Sequence, residues 1–130
     1  MRTIFYLATA GGLAIVTGAD GTWQGKVCLD ELQLQCIAVD PNRNRIVYCG
    51  TLGHGMFRSE DSGATWSALR GLKEPNVMAL ACSPDDTVYA GTELSAVYRS
   101  DDRGETWYPL HPLMTLPSAK RWSFCRLRKP

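Results

Sequence analysis

Hydrophobic positions along this chain fall in short runs of β-branched and aromatic residues, not in a helical stripe. Ile4-Phe5-Tyr6-Leu7, Ile46-Val47-Tyr48, Val77-Met78-Ala79-Leu80, Val88-Tyr89 and Val97-Tyr98 are each followed or preceded within a few residues by Gly, Pro, Asp or Asn. Such runs predict strands separated by turns, and no segment sustains a 3.6-residue apolar period with caps at its ends. In the clearest stretch the pattern predicts four strands: A at 77–82, B at 87–91, C at 96–100 and D at 106–110.

The pattern repeats. Ser59-Glu60-Asp61-Ser62-Gly63-Ala64-Thr65-Trp66 returns as Ser100-Asp101-Asp102-Arg103-Gly104-Glu105-Thr106-Trp107, 41 residues later, which gives the octapeptide S-x-D-x-G-x-T-W. At the same offset Ile46-Val47-Tyr48-Cys49-Gly50-Thr51 matches Thr87-Val88-Tyr89-Ala90-Gly91-Thr92. A third, worn copy opens the chain: Ile4-Phe5-Tyr6-Leu7-Ala8-Thr9 aligns with these strand B segments, and Thr17-Gly18-Ala19-Asp20-Gly21-Thr22-Trp23 is a shortened octapeptide. A period of about 40 residues signals an array in which each copy buries its apolar face against the next.

The octapeptide reads as the turn between strands C and D. Its Asp, Asp61 or Asp102, is expected to accept backbone N–H groups one or two residues on, and Gly63 or Gly104 to supply a positive φ. Thr65 or Thr106 restarts the strand, and Trp66 or Trp107 places a large ring beneath the hairpin. With Ser59 and Ser100, these residues form a structural set in which loss of the Asp loosens a turn and abolishes no reaction. The octapeptide resembles the Asp-box, or BNR repeat, of sialidases, other glycoside hydrolases, sortilin-type receptors and photosystem II assembly factors. The resemblance covers three copies from about Thr3 to Leu110, the first with Ala19 at the Asp position and one residue short. It implies an all-β fold, a partial β-propeller of about three four-stranded antiparallel blades. It implies no activity, because the turn is shared by enzymes and non-enzymes of the family.

The expected organisation is an incomplete first blade at 1–34 that lacks strand A, a second blade at 35–73, a third at 74–110, and an inter-blade connection with a basic tail at 111–130. Closed propellers have about four to eight blades, so the expectation is a truncated or fragmentary propeller, or a subunit that completes its ring by association. The tail carries Lys120, Arg121, Arg126, Arg128 and Lys129 without an acidic neighbour. It lacks aromatic interleaving, and the chain as a whole holds 14 basic and 13 acidic residues, so neither nucleic acid nor a membrane is expected as a partner.

Five scattered cysteines, Cys28, Cys36, Cys49, Cys82 and Cys125, include no CxxC pair and sit mostly on strand positions, which suits buried thiols in a reducing cytoplasm. The alternative is secretion, with residues 1–19 acting as a signal peptide: a positive start, an apolar centre and small residues at its end.

Because strands alternate direction within a blade, the B–C loops and D–A connections share one end and the A–B loops and C–D turns the other. The first end is the candidate binding face. It is expected to carry His54 with Gly53 and Gly55, Glu93, Arg70, Lys73, Glu74 and His111. Sialidase-like catalysis needs an arginine cluster, a Tyr with an acidic partner and an acid/base Asp, and other glycosidases pair two carboxylates across the scissile bond. Here Glu93 and Glu74 are the acids available, the arginine-Ile-Pro start motif of sialidases is missing, and catalytic residues stay unassigned. No zinc-ligand spacing appears, and no metal or cofactor is expected. The expected function is a noncatalytic binding or assembly scaffold whose partner is a protein or a second copy, with carbohydrate as a further candidate. The alternative is a fragment of a BNR-repeat glycoside hydrolase.

Overall fold

Three antiparallel sheets follow one another along the chain in the computed structural model, which describes residues 2–121 apart from Leu94. The first holds β1 (Thr3–Thr9), β2 (Gly12–Ala19) and β3 (Thr22–Cys28). The second holds β4 (Leu34–Val39), β5 (Val47–Thr51), β6 (Met56–Ser59) and β7 (Ser67–Leu69). The third holds β8 (Val77–Cys82), β9 (Val88–Thr92), β10 (Ala96–Ser100) and β11 (Tyr108–Pro109). A short helix α1 (His111–Met114) and a 3-10 turn at Ala119–Arg121 follow. Cys125, Arg126, Arg128 and Lys129, the end of the expected basic tail, lie outside the described residues.

The sheets stack face to face, and the alternation of each strand decides what is buried between them. Leu13 and Ile15 of β2 meet Leu34 and Cys49 in one core, while Tyr48, Met56 and Leu69 meet Val77, Val88 and Ala90 in the next. Gly50 sits where the second core is tightest, since a Cβ there would stand 2.6 Å from Cys36 Sγ and 2.7 Å from Val77 Cγ1. β4 lies beside β8, and β1 touches β4 as β5 touches β8. By these contacts the three strands of the first sheet take the places of B, C and D among the described residues. Both four-stranded sheets break register at the same point, between Leu34 and Cys36 and between Val77 and Ala79. The molecule is an all-β partial propeller; strands A and C of its third sheet lie at the expected 77–82 and 96–100 and B at 88–92, whereas D is only 108–109, because Thr106, expected to restart the strand, gives its N–H and hydroxyl to Asp102.

The shortened octapeptide departs from expectation. Residues 17–23 form a two-residue hairpin instead of a wide turn: Ala19 pairs with Thr22, and Asp20 and Gly21 take φ of 54° and 80°. Two consecutive positive φ values are the signature of the Asp-Gly turn that suits the twist of a hairpin. Without the Ser and Asp that organise the wide turn, β2 and β3 pair to their ends and run longer than β6 and β7. Among the described residues no helix is long and apolar enough to cross a membrane.

Candidate functional site

The two ends of the sheets differ in chemistry. At one end the octapeptide turns are closed by the same bonds twice. Gly63 N donates to Ser59 Oγ at 2.8 Å, Thr65 N to Asp61 Oδ1 at 2.8 Å, Thr65 Oγ1 to Asp61 Oδ2 at 2.5 Å and Trp66 Nε1 to the Gly63 carbonyl at 3.0 Å. Gly104, Thr106 and Trp107 repeat them on Ser100, Asp102 and the Gly104 carbonyl. The Asp thus reaches the N–H four residues on, farther than the one or two expected, because Ser62 and Arg103 as well as the glycines turn left-handed, at φ of 58° and 60°. Hydrogen bonds from the Thr65 hydroxyl and N–H, joined by that from Ser59, hold the Asp61 carboxyl down at about 2. The Thr106 hydroxyl and N–H do the same for Asp102, also at about 2. Each of these carboxylates accepts from the Thr N–H and from the Thr and Ser hydroxyls of its own turn, so this end is built for closure.

At the other end, two loops are tied together around an open cleft of about 490 Å³. Thr51 N and Oγ1 both donate to the Gly55 carbonyl at 2.9 Å, and His54 N donates back to Thr51 Oγ1 at 3.0 Å. Gly53 and Gly55, at φ of 96° and 71°, then aim their N–H groups at the Pro75 carbonyl, at 3.0 and 2.9 Å. Both values lie in the region that glycine enters without a Cβ clash. The cleft is lined by His54 from the B–C loop and by Arg70, Lys73 and Glu74 from the connection into β8, over an apolar floor of Met56, Leu69 and Leu72. Glu74 Oε1 accepts the Tyr98 hydroxyl at 3.1 Å, and burial together with that carboxylate pushes the Tyr98 hydroxyl up.

Six of the expected face residues, Gly53, His54, Gly55, Arg70, Lys73 and Glu74, thus share one cleft. Glu93 lies at the same end but outside it, where its N–H donates to the Asn76 carbonyl at 3.0 Å and its Oε2 accepts Asn76 Nδ2 at 2.5 Å. His111 opens α1, is exposed, and does not line the cleft. Tyr98 and Asn76 were missed by sequence reasoning: strand alternation assigns Tyr98 to a core-facing row with Ala90 and Leu80, and nothing in it shows that the hydroxyl reaches a loop. A second cleft of about 460 Å³ was missed as well. It lies between the first sheet and the second sheet's turn, with Arg2, Ile15, Lys26, Asp61 and Ser62 among its walls. Among the described residues no group of three or more His, Cys, Asp or Glu side chains is placed to hold a metal. Cys28, Cys36, Cys49 and Cys82 are free thiols, and burial pushes Cys36 and Cys82 up to about 11 and Cys49 to about 12.

No family model matches the chain. Over 42 residues, 32% of its length, the chain is 48% identical to the xyloglucanase Xgh74A of Acetivibrio thermocellus, and the match spans 5% of that enzyme. Among solved structures it is similar to YCF48 bound to D1 peptide, with a TM-score of 0.65 and 17% identity over 85% of this chain and 38% of that one. It is similar also to the GH74 xyloglucanase from Xanthomonas campestris, with a TM-score of 0.61 and 20% identity over 84% of this chain and 21% of the enzyme. At such identities the likeness shows a β-propeller fold, and one that both a peptide-bound protein and an enzyme use.

Proposed function

We propose that this chain is a noncatalytic propeller module of the Asp-box type that binds a protein segment on its B–C and D–A loop face. The observation that carries the reading is the cleft itself. It places three side chains that can carry positive charge, His54, Arg70 and Lys73, around an apolar floor, and its one acid, Glu74, is engaged by Tyr98. That chemistry suits a peptide bearing a carboxylate beside an apolar side chain. Most glycosidases pair two carboxylates across the bond, and here Glu93 is turned to Asn76 outside the cleft. The xyloglucanase match favours a second reading, a piece of a GH74-like hydrolase. Selecting a displayed peptide library on the immobilised chain separates the two. Acidic sequences whose binding disappears in Arg70→Glu support the first reading. Release of reducing sugar from xyloglucan, lost in Glu74→Gln or Glu93→Gln, would overturn it.

A further inference from the structure

The interface between the second and third sheets is repeated, half-complete, at the outer face of the third. In the complete interface Tyr48 and Arg58 stand opposite each other in register on β5 and β6. Tyr48 lies under the turn glycine Gly104, whose Cβ position is 3.5 Å from the Tyr48 ring. Arg58 holds two carboxylates, Glu60 of its own sheet at 3.6 Å and Glu105 of the next at 2.8 Å, and donates to the Arg103 carbonyl at 2.7 Å. In the third sheet the same positions carry Tyr89 and Arg99, again in register. Arg99 holds the equivalent of Glu60, Asp101, at 2.9 Å, but among the described residues it has no second carboxylate from another sheet. Its side chain is accordingly 38% exposed, against 13% for Arg58.

The opposite end of the arc carries the matching half. On the outer face of the first sheet Phe5, Leu7, Trp23 and Val27 are each about half exposed, between 49% and 62%. Its C–D turn is Asp20-Gly21, where nothing stands within 4 Å of a Cβ placed at Gly21. Asp20 lies as many residues beyond the core residue Leu13 as the turn glycine Gly63 lies beyond Met56. The longer β2 and β3 thus carry an acidic turn to the depth at which the other turns meet a neighbour.

We infer that a second copy of this chain docks head to tail, placing its Asp20 turn and the Phe5–Trp23 face on the Tyr89–Arg99 face of the first. The charges are complementary, Arg99 gains the second carboxylate that Arg58 already has, and the exposed rings are covered. Repeating the contact closes two three-sheet arcs into a ring of six sheets, within the roughly four to eight of propellers. This surface is separate from the loop cleft and stands whether or not that cleft binds a peptide. Size-exclusion chromatography with light scattering tests it. The chain is expected at twice its 14.4 kDa mass, and Arg99→Asp and Asp20→Arg are each expected at the monomer mass, still unfolding cooperatively but at a lower temperature than the wild-type dimer. An equimolar mixture of the two variants is expected to dimerise again, since one interface then keeps the native pair and the other carries it reversed. A folded wild-type monomer at high micromolar concentration overturns the inference, as does a dimer that persists in Arg99→Asp. If either variant fails to fold, wild-type cross-linking between Asp20 and residues beside Arg99 decides, and its absence in a dimer counts against the contact.

Discussion

In β5, Val47, Tyr48 and Cys49 are completely buried, whereas in β1 the aligned Phe5 and Leu7 are half exposed, although β1 is the longer and more aromatic strand. The segments share a sequence pattern and differ in their neighbours. β5 is hydrogen-bonded on both edges, to β4 and β6, and its sheet is covered on both faces. Among the described residues β1 pairs with β2 alone, and one face of its sheet meets another sheet. Burial in this array is thus a property of the interface between copies more than of the copy, as expected where stability is a sum of unit and nearest-neighbour contributions. The contrast extends to the turns: two wide ones fastened by Ser and Asp to backbone, and one Asp-Gly hairpin that depends on backbone preference.

The largest effect expected along this contrast is at Tyr48. Removing its ring in Tyr48→Ala empties the interface beneath Gly104 and should cost about 3–5 kcal/mol, the range for a large core aromatic. Phe5→Ala in the first sheet should cost less than about 0.5 kcal/mol in solutions dilute enough to keep copies apart, in line with substitutions at exposed positions. Urea denaturation followed by tryptophan fluorescence measures both. Equal losses would show that the first sheet is as well supported as the second and would break the comparison.

A smaller difference is expected between the turns. Asp102→Ala removes the acceptor for Thr106 N and Thr106 Oγ1 and frees the Ser100 hydroxyl. By analogy with the loss of a side-chain cap it should cost about 0.5–2 kcal/mol. Asp20→Asn should leave stability unchanged within about 0.3 kcal/mol, because Asn enters the left-handed region as readily as Asp. Thermal melts of the two variants side by side test this, and a costly Asp20→Asn would reveal a bonded role for that carboxylate.

Much of this was legible in the sequence for a simple reason: a repeat states its own alignment. Once Trp66 matched Trp107, strands β5, β6, β9 and β10 followed from β-branched runs and bounding glycines. The loop end was legible too, since strand alternation alone puts the loop at 52–55 beside the connection at 70–76. The shortened copy misled because matching it to the octapeptide by Gly21 and Trp23 overlooked the stronger local signal, Asp-Gly between two alternating runs. Side-chain reach was the other missing ingredient. Tyr98 bonding Glu74 and Asn76 bonding Glu93 depend on χ angles and on the spacing between sheets, which no one-dimensional pattern encodes.

The smallest effect belongs to acid. Asp61 and Asp102 are held at about 2 by the Thr and Ser bonds of their turns, while an unfolded Asp titrates near 3.9. A carboxyl lowered on folding contributes stability that is fully present above its unfolded pKa and disappears as pH falls through the folded one. The wide turns should therefore loosen between about pH 4 and pH 2. Both carboxylates are close to solvent, so the loss should be a modest fall in melting temperature at moderate salt instead of outright unfolding. Carboxyl carbon titration by NMR gives the direct measurement, with Asp61 and Asp102 expected well below the unfolded value of about 3.9. Thr106→Val should move Asp102 upward and leave Asp61 in place, because the two turns share no hydrogen bond. Titration of Asp102 near 3.9 in the unaltered chain would mean that its bonds to Thr106 do not persist in solution, and the contrast between fastened and unfastened turns would lose its electrostatic basis.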